Sequence, residues 1–294
     1  MWTYLGQFEI LNLRQFRQDN CDEHNNNNKN TINMNVQDKI VIVTGGLSGL
    51  GAATVKLMRS LGASTAVFDL QLPKGAPGSA IELQGQKYFK VDVSKTEDVA
   101  AAVEGVVAWS KETKKPIAAV VCCAGFLGPA KILSKNGTPL ALETFKKVVD
   151  ISLTGTIDVI RQLVPHMSTQ PADSDGSRGV IITVSSAAAF DGQEGQVSYS
   201  AAKGAIASMT LPLARDLSRW GIRAVCIAPG MFDTGMVEGM PGKARESLNK
   251  TLEFPARAGR PEEFAQMVRS VVENGMLNGT VVRLDGAARM PSRL

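Results

Sequence analysis

The run Gly45-Gly46-Leu47-Ser48-Gly49-Leu50-Gly51 constrains this chain more than any other, because of what flanks it. Before it stands the β-branched, apolar Lys39-Ile40-Val41-Ile42-Val43-Thr44, and after it Ala52-Ala53-Thr54-Val55-Lys56-Leu57-Met58, which reads as a helix. A glycine turn by itself says little, since turns use Gly for steric reasons. Strand, glycine turn and helix in that order are the setting of a dinucleotide-binding fingerprint. In that setting Gly45 permits the sharp turn, Gly49 lets the backbone approach a pyrophosphate, and Gly51 lets the helix pack closely on the strand. The helix start then offers unpaired N–H groups and the positive end of its dipole to the phosphates.

Ser64-Thr65-Ala66-Val67-Phe68-Asp69 reads as the second strand, ending in an acid about 18 residues after Gly51. A carboxylate there accepts the ribose hydroxyls of NAD and repels the 2′-phosphate of NADP. A polar turn residue is the plainer account of Asp69, but its distance from the glycines favours the cofactor role. No basic residue interrupts the glycine turn, so NAD is the expected cofactor.

Strand-like and helix-like runs alternate from there. Tyr88-Phe89-Lys90-Val91 leads to Asp92, and a helix is predicted from Thr96 to Thr113. A strand follows at Ile117 to Cys122, then a long helical region from Leu140 to Met167. Val180 to Ser186, a helix carrying Tyr199, Ile222 to Ile227 and Gly279 to Leu284 complete the series. The alternation predicts an α/β fold of the Rossmann type, a single domain over residues 38–290 built on a doubly wound parallel sheet. Such sheets bind ligands outside the carboxyl ends of their strands, where Gly45, Asp69, Asp92, Gly125, Ser186 and Pro229 all fall.

With 294 residues, 44% of them hydrophobic, the chain is able to bury a full core. A net charge of +4 is too mild to argue for nucleic acid, and no run approaches the roughly 18 apolar residues of a membrane span. Of the two histidines, His24 lies in a polar tail and His166 at the end of a predicted helix, so Ser-His-Asp catalysis has no base. Cys21, Cys122, Cys123 and Cys226 lack metal-ligand spacing, and no metal is expected. The last three sit in apolar runs and read as small buried side chains in a reducing compartment. Residues 1–37 read as a disordered or targeting extension: their Asn-rich second half cannot bury a core, and the first 17 residues read as a weak amphipathic presequence.

The chemistry points to Tyr199-Ser200-Ala201-Ala202-Lys203. On a helix, Tyr199 and Lys203 stand four residues apart and share one face. An ammonium fixed beside a phenol stabilises the phenolate, and a Tyr tuned this way can take a proton from an alcohol or return it to a ketone. Ser186, at the end of its strand, places a hydroxyl to hydrogen-bond the reacting oxygen. A lone Tyr-x-x-x-Lys is most often an ordinary helix pair; the glycine turn upstream argues against that here.

Taken together these residues resemble the short-chain dehydrogenases/reductases over residues 38–290: Thr44-Gly45-x3-Gly49-x-Gly51, Cys123-Ala124-Gly125, Ser186, Tyr199-x3-Lys203 and Pro229-Gly230 stand in that family's order. Within it the chain is similar to the type II 3-hydroxyacyl-CoA dehydrogenase group. The segments Ala188 to Gln193, Leu211 to Leu217, Ala228 to Thr234 and Leu277 to Ala287 carry that likeness, with the insertions Lys131 to Leu140 and Ser168 to Arg178. The resemblance implies contacts to NAD from Ser48, Leu50, Asp69, Asp92, Val93, Cys123, Phe232 and Thr234, from the Ala124-Gly125 and Pro229 turns, and from Lys203 on the nicotinamide ribose. It implies Tyr199 as general acid/base, Ser186 and Gln193 as substrate contacts, and a lid over residues 232–253, with Met231, Met236 and Met240 lining an apolar pocket. Gln193 as a solvated loop amide, and the methionines as core filling, are the equally weighted alternatives.

The expected reaction is NAD-dependent interconversion of a 3-hydroxyacyl-CoA and its ketone, as in fatty acid oxidation, with a hydroxysteroid or other secondary alcohol as the alternative substrate. The resemblance also implies a homotetramer. Two positions depart from the family: Cys122 stands where it has Asn, and Ser152 where it has the Asn that holds a water linking the Lys to solvent. The departures motivate a rival from another class, an NAD-binding scaffold of weak activity that works through partners. In the C-terminal tail, residues 291–294, Ser292-Arg293-Leu294 is close to the Ser-Lys-Leu peroxisomal address, so a peroxisome-like organelle is expected, with a mitochondrion as the alternative.

Overall fold

Eight strands form one sheet in the spatial order β3-β4-β2-β1-β5-β6-β7-β8, with every pairing parallel except β3 with β4. The computed structural model describes residues 35–73, 80–235 and 252–292. The strands are β1 (Ile40–Thr44), β2 (Ser64–Asp69), β3 (Ala80–Leu83), β4 (Gln86–Lys90), β5 (Ile117–Cys122), β6 (Gly179–Val184), β7 (Ile222–Pro229) and β8 (Val281–Leu284). Winding runs outward from β1 in both directions, which opens a crevice at the carboxyl ends of β1 and β5.

Period-two alternation along the strands builds two cores. In β1, Ile40 and Ile42 face one layer, and Val41 and Val43 face the other. The first layer is closed by α2 (Thr96–Thr113), α4 (Gly155–Ser168) and α5 (Val197–Leu217). In α2, Val99, Ala102, Val103, Val106 and Trp109 recur at helical spacing and are all buried. Each large apolar side chain so buried contributes about 1.5–3 kcal/mol. The second layer is closed by α1 (Gly49–Ser60) and α6 (Pro261–Glu273). Pro at its first turn and a Glu263 carboxylate accepting from Arg260 N start α6.

Two differences from expectation stand out. Strand β3 was not expected; it pairs antiparallel with β4 through a turn in which Gln84 (φ 50°) and Gly85 (φ 73°) are both left-handed. The long helical region expected from about Leu140 to Met167 is present, but its winding changes midway: α3 (Leu142–Val149) runs through a π-turn at Asp150–Thr154 into α4. Helix α4 begins at Gly155, where a β-carbon would lie 2.5 Å from the Val93 carbonyl oxygen, so only glycine lets it approach β4's exit this closely. Gln193, of its two readings, is not the solvated loop amide: it is buried. The N-terminal extension up to residue 34, Met236, Met240 with most of the expected lid, and Arg293 with Leu294 lie outside the described residues.

Candidate active site

Parallel register levels the strand ends, with Thr44 opposite Phe68 on one side and Cys122 on the other. The residues that follow, Gly45, Asp69 and Cys123, therefore line one rim. Gly45 (φ 64°) turns away there, its N–H donating to the Phe68 carbonyl. The Ala124 N–H donates to the Thr44 hydroxyl at 3.0 Å, tying the Cys123-Ala124-Gly125 segment to the glycine turn. A β-carbon on Gly51 would lie 2.2 Å from the Gly45 carbonyl oxygen, so α1 packs directly on the turn. Ser48 is exposed in extended backbone ahead of α1, Leu50 is half-buried in its first turn, and Gly49 (φ 48°) sits under Thr234, whose methyl would be 3.2 Å from a β-carbon there.

Asp69 reaches back into this turn: its carboxylate accepts from Leu47 N at 3.0 Å. Leu47 was not singled out in the sequence, since its contribution is a backbone amide. Asp92 accepts from both the N–H and the hydroxyl of Ser94, and that hydroxyl holds its carboxyl below the ordinary carboxylate range. Val93 is buried, Pro229 ends β7, and Phe232 packs edge-on against Phe264 of α6. Cys123 is half-buried, and burial pushes its thiol and that of Cys122 up to about 12, so neither supplies a thiolate.

The other half of the site comes from β6 and α5. Beyond β6, Ser185 donates its hydroxyl to the Lys203 carbonyl at 2.7 Å, fixing α5 against the strand end. Ser186 is half-buried and its hydroxyl accepts from Ala188 N at 3.1 Å, capping a short 3-10 turn. Tyr199, half-buried in the first turn of α5, lies beside Lys203: the ammonium is 5.7 Å from the phenol ring centroid. That ammonium is only 4% exposed with its residue and donates to the Val184 carbonyl at 2.7 Å. The structure thus brings Tyr199 and Lys203 together and sets them at the carboxyl end of β6. It also places Ser152 here, buried in the π-turn, with its hydroxyl accepting from Phe126 N at 3.0 Å.

Gln193 is held from both sides: its side-chain amide donates to the Pro291 carbonyl, and its N–H donates to Gln196 Oε1. Met231 is buried with Leu252 and Ala288 in a small satellite core. His166 is exposed near the end of α4. Among the described residues no cluster of His, Cys, Asp and Glu is fit to hold a metal, and no helix is long and apolar enough to cross a membrane.

A sheet wound both ways from a glycine turn, with Lys203 and Tyr199 side by side at its carboxyl edge, defines an oxidoreductase of the nucleotide-binding α/β class. The chain belongs to the short chain dehydrogenase family, whose model matches residues 39–244. It is 43% identical over 257 residues to the 3-hydroxyacyl-CoA dehydrogenase type-2 of Drosophila melanogaster, covering 87% of this chain and 99% of that protein. It is 41% identical over 262 residues to the protein of the same name from Homo sapiens, covering 87% and 97%. Among solved structures, 3-hydroxyacyl-CoA dehydrogenase type-2 from Mycobacterium avium superposes with a TM-score of 0.76 at 30% identity, over 86% of this chain and 96% of that one.

Proposed function

We propose that this short-chain dehydrogenase interconverts an L-3-hydroxyacyl-CoA and the 3-ketoacyl-CoA with NAD. The observation that carries the reading is the placement of Lys203 beside Tyr199, with its ammonium on the carbonyl of Val184, the strand end two residues before Ser186. The names of the relatives support the substrate class. The cradle suits the cofactor: β-carbons at Gly45, Gly49 and Gly51 would press on the Ala124 backbone, Thr234 and the Gly45 carbonyl, so glycine alone lets this turn close up tightly, and Asp69 brings a carboxylate to it. When bound, NAD supplies the acceptor for the hydride leaving the carbinol carbon.

The chain's own residues do the rest. Ser186 orients the substrate oxygen by hydrogen bonding, and Tyr199 takes the hydroxyl proton onto its phenolate oxygen in oxidation or returns it in reduction. Lys203, its ammonium anchored on the Val184 carbonyl, stabilises the negative phenolate by charge. Asp69 would favour NAD over NADP by repelling a 2′-phosphate. Four such chains in a homotetramer complete the proposal.

Steady-state assays with acetoacetyl-CoA and NADH test it. Turnover is expected with NADH and little with NADPH, and Asp69→Ala should narrow that preference. Tyr199→Phe should lower kcat by on the order of 10²–10⁴ while NADH still binds. Turnover on a steroid or simple alcohol but on no acyl-CoA would overturn the substrate assignment, and an unchanged kcat in Tyr199→Phe would overturn the mechanism.

A further inference from the structure

One guanidinium joins the C-terminal part of the chain to the segment that precedes the tyrosine helix. Arg283, at the third position of β8, donates from Nη2 to Asp191 Oδ2 at 2.5 Å and from Nε to Asp285 Oδ2 at 2.6 Å. It also donates to the Ala288 carbonyl at 3.2 Å and lies 5.2 Å from the centroid of the Phe190 ring. The three charged side chains are largely withdrawn from water, 24% exposed for Arg283, 20% for Asp191 and 7% for Asp285. Phe190 and Asp191 stand only a few residues beyond Ser186 and are folded back on Ala187 by two backbone hydrogen bonds.

From Asp191 the contacts lead straight to α5. A β-carbon on Gly192 would meet Ser200 Oγ at 2.4 Å, so this backbone bears on the residue next to Tyr199. Gln193 N donates to Gln196 Oε1, and Ser200 N to the Gln196 carbonyl, which fixes where α5 begins. The chain beyond β8 closes over the same segment: Gln193 Nε2 donates to the Pro291 carbonyl at 3.1 Å and Glu194 N to the Ser292 carbonyl at 3.0 Å.

We propose that Arg283 is a positioning residue for the reaction: it clamps residues 190–193 through Asp191 and thereby sets Tyr199 against Ser186. Its planar fork holds two carboxylates in fixed directions, a geometry that the rotatable point charge of a lysine does not impose. The tail at Pro291 and Ser292 is the second jaw of the same clamp, which gives buried Gln193 its work. The inference rests on the catalytic reading above, since positioning matters only if Tyr199 transfers the proton.

The test uses the full chain with Arg283→Ala, Arg283→Lys, Asp191→Ala and the Asp191→Ala/Arg283→Ala double variant. Active protein is counted by NADH titration, turnover is read on acetoacetyl-CoA, and hydrogen exchange is followed at the amides of residues 187–199. Each alanine variant should lower kcat per bound NADH on the order of 10- to 100-fold, because small misplacements of a reacting group cost that much. NADH affinity should stay near wild type, Arg283→Lys should fall between, and the double variant should lose no more than the worse single. Exchange over 187–199 should quicken in every alanine variant.

Unchanged kcat per bound NADH, additive losses, or unaltered exchange would each overturn the clamp. If Arg283→Ala does not fold, Asp191→Asn, which leaves the guanidinium on Asp285, carries the same comparison. A wild-type chain with no turnover on acetoacetyl-CoA would sink the substrate assignment alone; the exchange measurement, needing neither substrate nor cofactor, still decides the clamp.

Discussion

Lys203 and Ser152 converge on one face of Gly125: a β-carbon there would lie 3.4 Å from the lysine ammonium and 3.7 Å from the serine hydroxyl. Ser152 stands in the π-turn between α3 and α4, and π-turns are frequent where a helix must aim a side chain at a site. Its hydroxyl accepts from the Phe126 N–H, so it orders the strip of backbone that runs past the ammonium. Ser152→Ala removes the acceptor of this part-buried hydrogen bond, an expected loss of about 0.5–1.5 kcal/mol. Thermal denaturation should show the midpoint falling by several degrees, and kcat should fall with it as residues 125–126 loosen. A variant that keeps its stability and full turnover would show that Phe126 finds water instead.

Two glycines separate the cradle from ordinary turn chemistry. At Gly51 a β-carbon would meet backbone, the Gly45 carbonyl oxygen at 2.2 Å, and no side chain is there to yield. Gly51→Ala should therefore displace α1 from the turn, cost about 1–3 kcal/mol or more, and abolish NADH binding. At Gly85 (φ 73°) nothing lies within 4 Å, so Gly85→Ala should cost about 1–2 kcal/mol from the left-handed backbone alone. NADH fluorescence titration distinguishes them: binding should vanish in the first and persist in the second.

Much of this was legible in the sequence, for reasons that differ by element. Strands β2 and β5 and helix α2 fall where their patterns predict, because each is a single-period run bounded by turn residues. Strand β3 was missed: at four residues it is short, and its turn uses Gln84 in place of the Asn or Asp that would announce it. The π-turn was hidden because its cause is non-local, with Ser152 bonding to Phe126 and Gly155 packing on Val93. Tyr199 and Lys203 were visible because four residues on a helix guarantee proximity. Asp191 and Arg283 lie 92 residues apart, and no spacing rule connects them.

Acid should weaken the start of α6 in a defined window. Arg257 hydrogen-bonds Glu263 with both terminal guanidinium nitrogens, and the Arg260 N–H adds a third bond, which together hold the carboxyl down to about 2 against an ordinary 4.5. A depressed carboxylate stabilises the fold above its unfolded value and loses that contribution as pH falls through its folded value. With the Glu263 side chain 39% exposed, screening keeps the effect below about 1 kcal/mol. The difference in melting temperature between wild type and Glu263→Gln should be constant above that window and shrink from pH 4.5 towards 2. A difference that widens in acid would contradict the assignment.

Arg223 poses the opposite case, a charge buried for architecture. It is the second residue of β7, 7% exposed, and burial pushes its guanidinium down to about 10. It donates to the carbonyls of Val271 and Val272 in the last turn of α6 and to that of Leu277 beyond it. The two helix-end carbonyls have no partner within the helix, and they carry the negative end of its dipole, so a cation is suited to them. Helix α6 in turn packs against α1, the helix that follows the glycine turn. Arg223→Met fills the space but orphans the carbonyls, so chemical denaturation should show a loss of at least about 2 kcal/mol. Because Arg223 lies at the amino end of β7, away from the carboxyl edge where Tyr199 sits, kcat per bound NADH should not change. That pattern, stability lost and turnover kept, is the reverse of the one expected for Arg283. A fall in kcat here without a matching fall in stability would mean that strain at the base of the sheet reaches the catalytic edge.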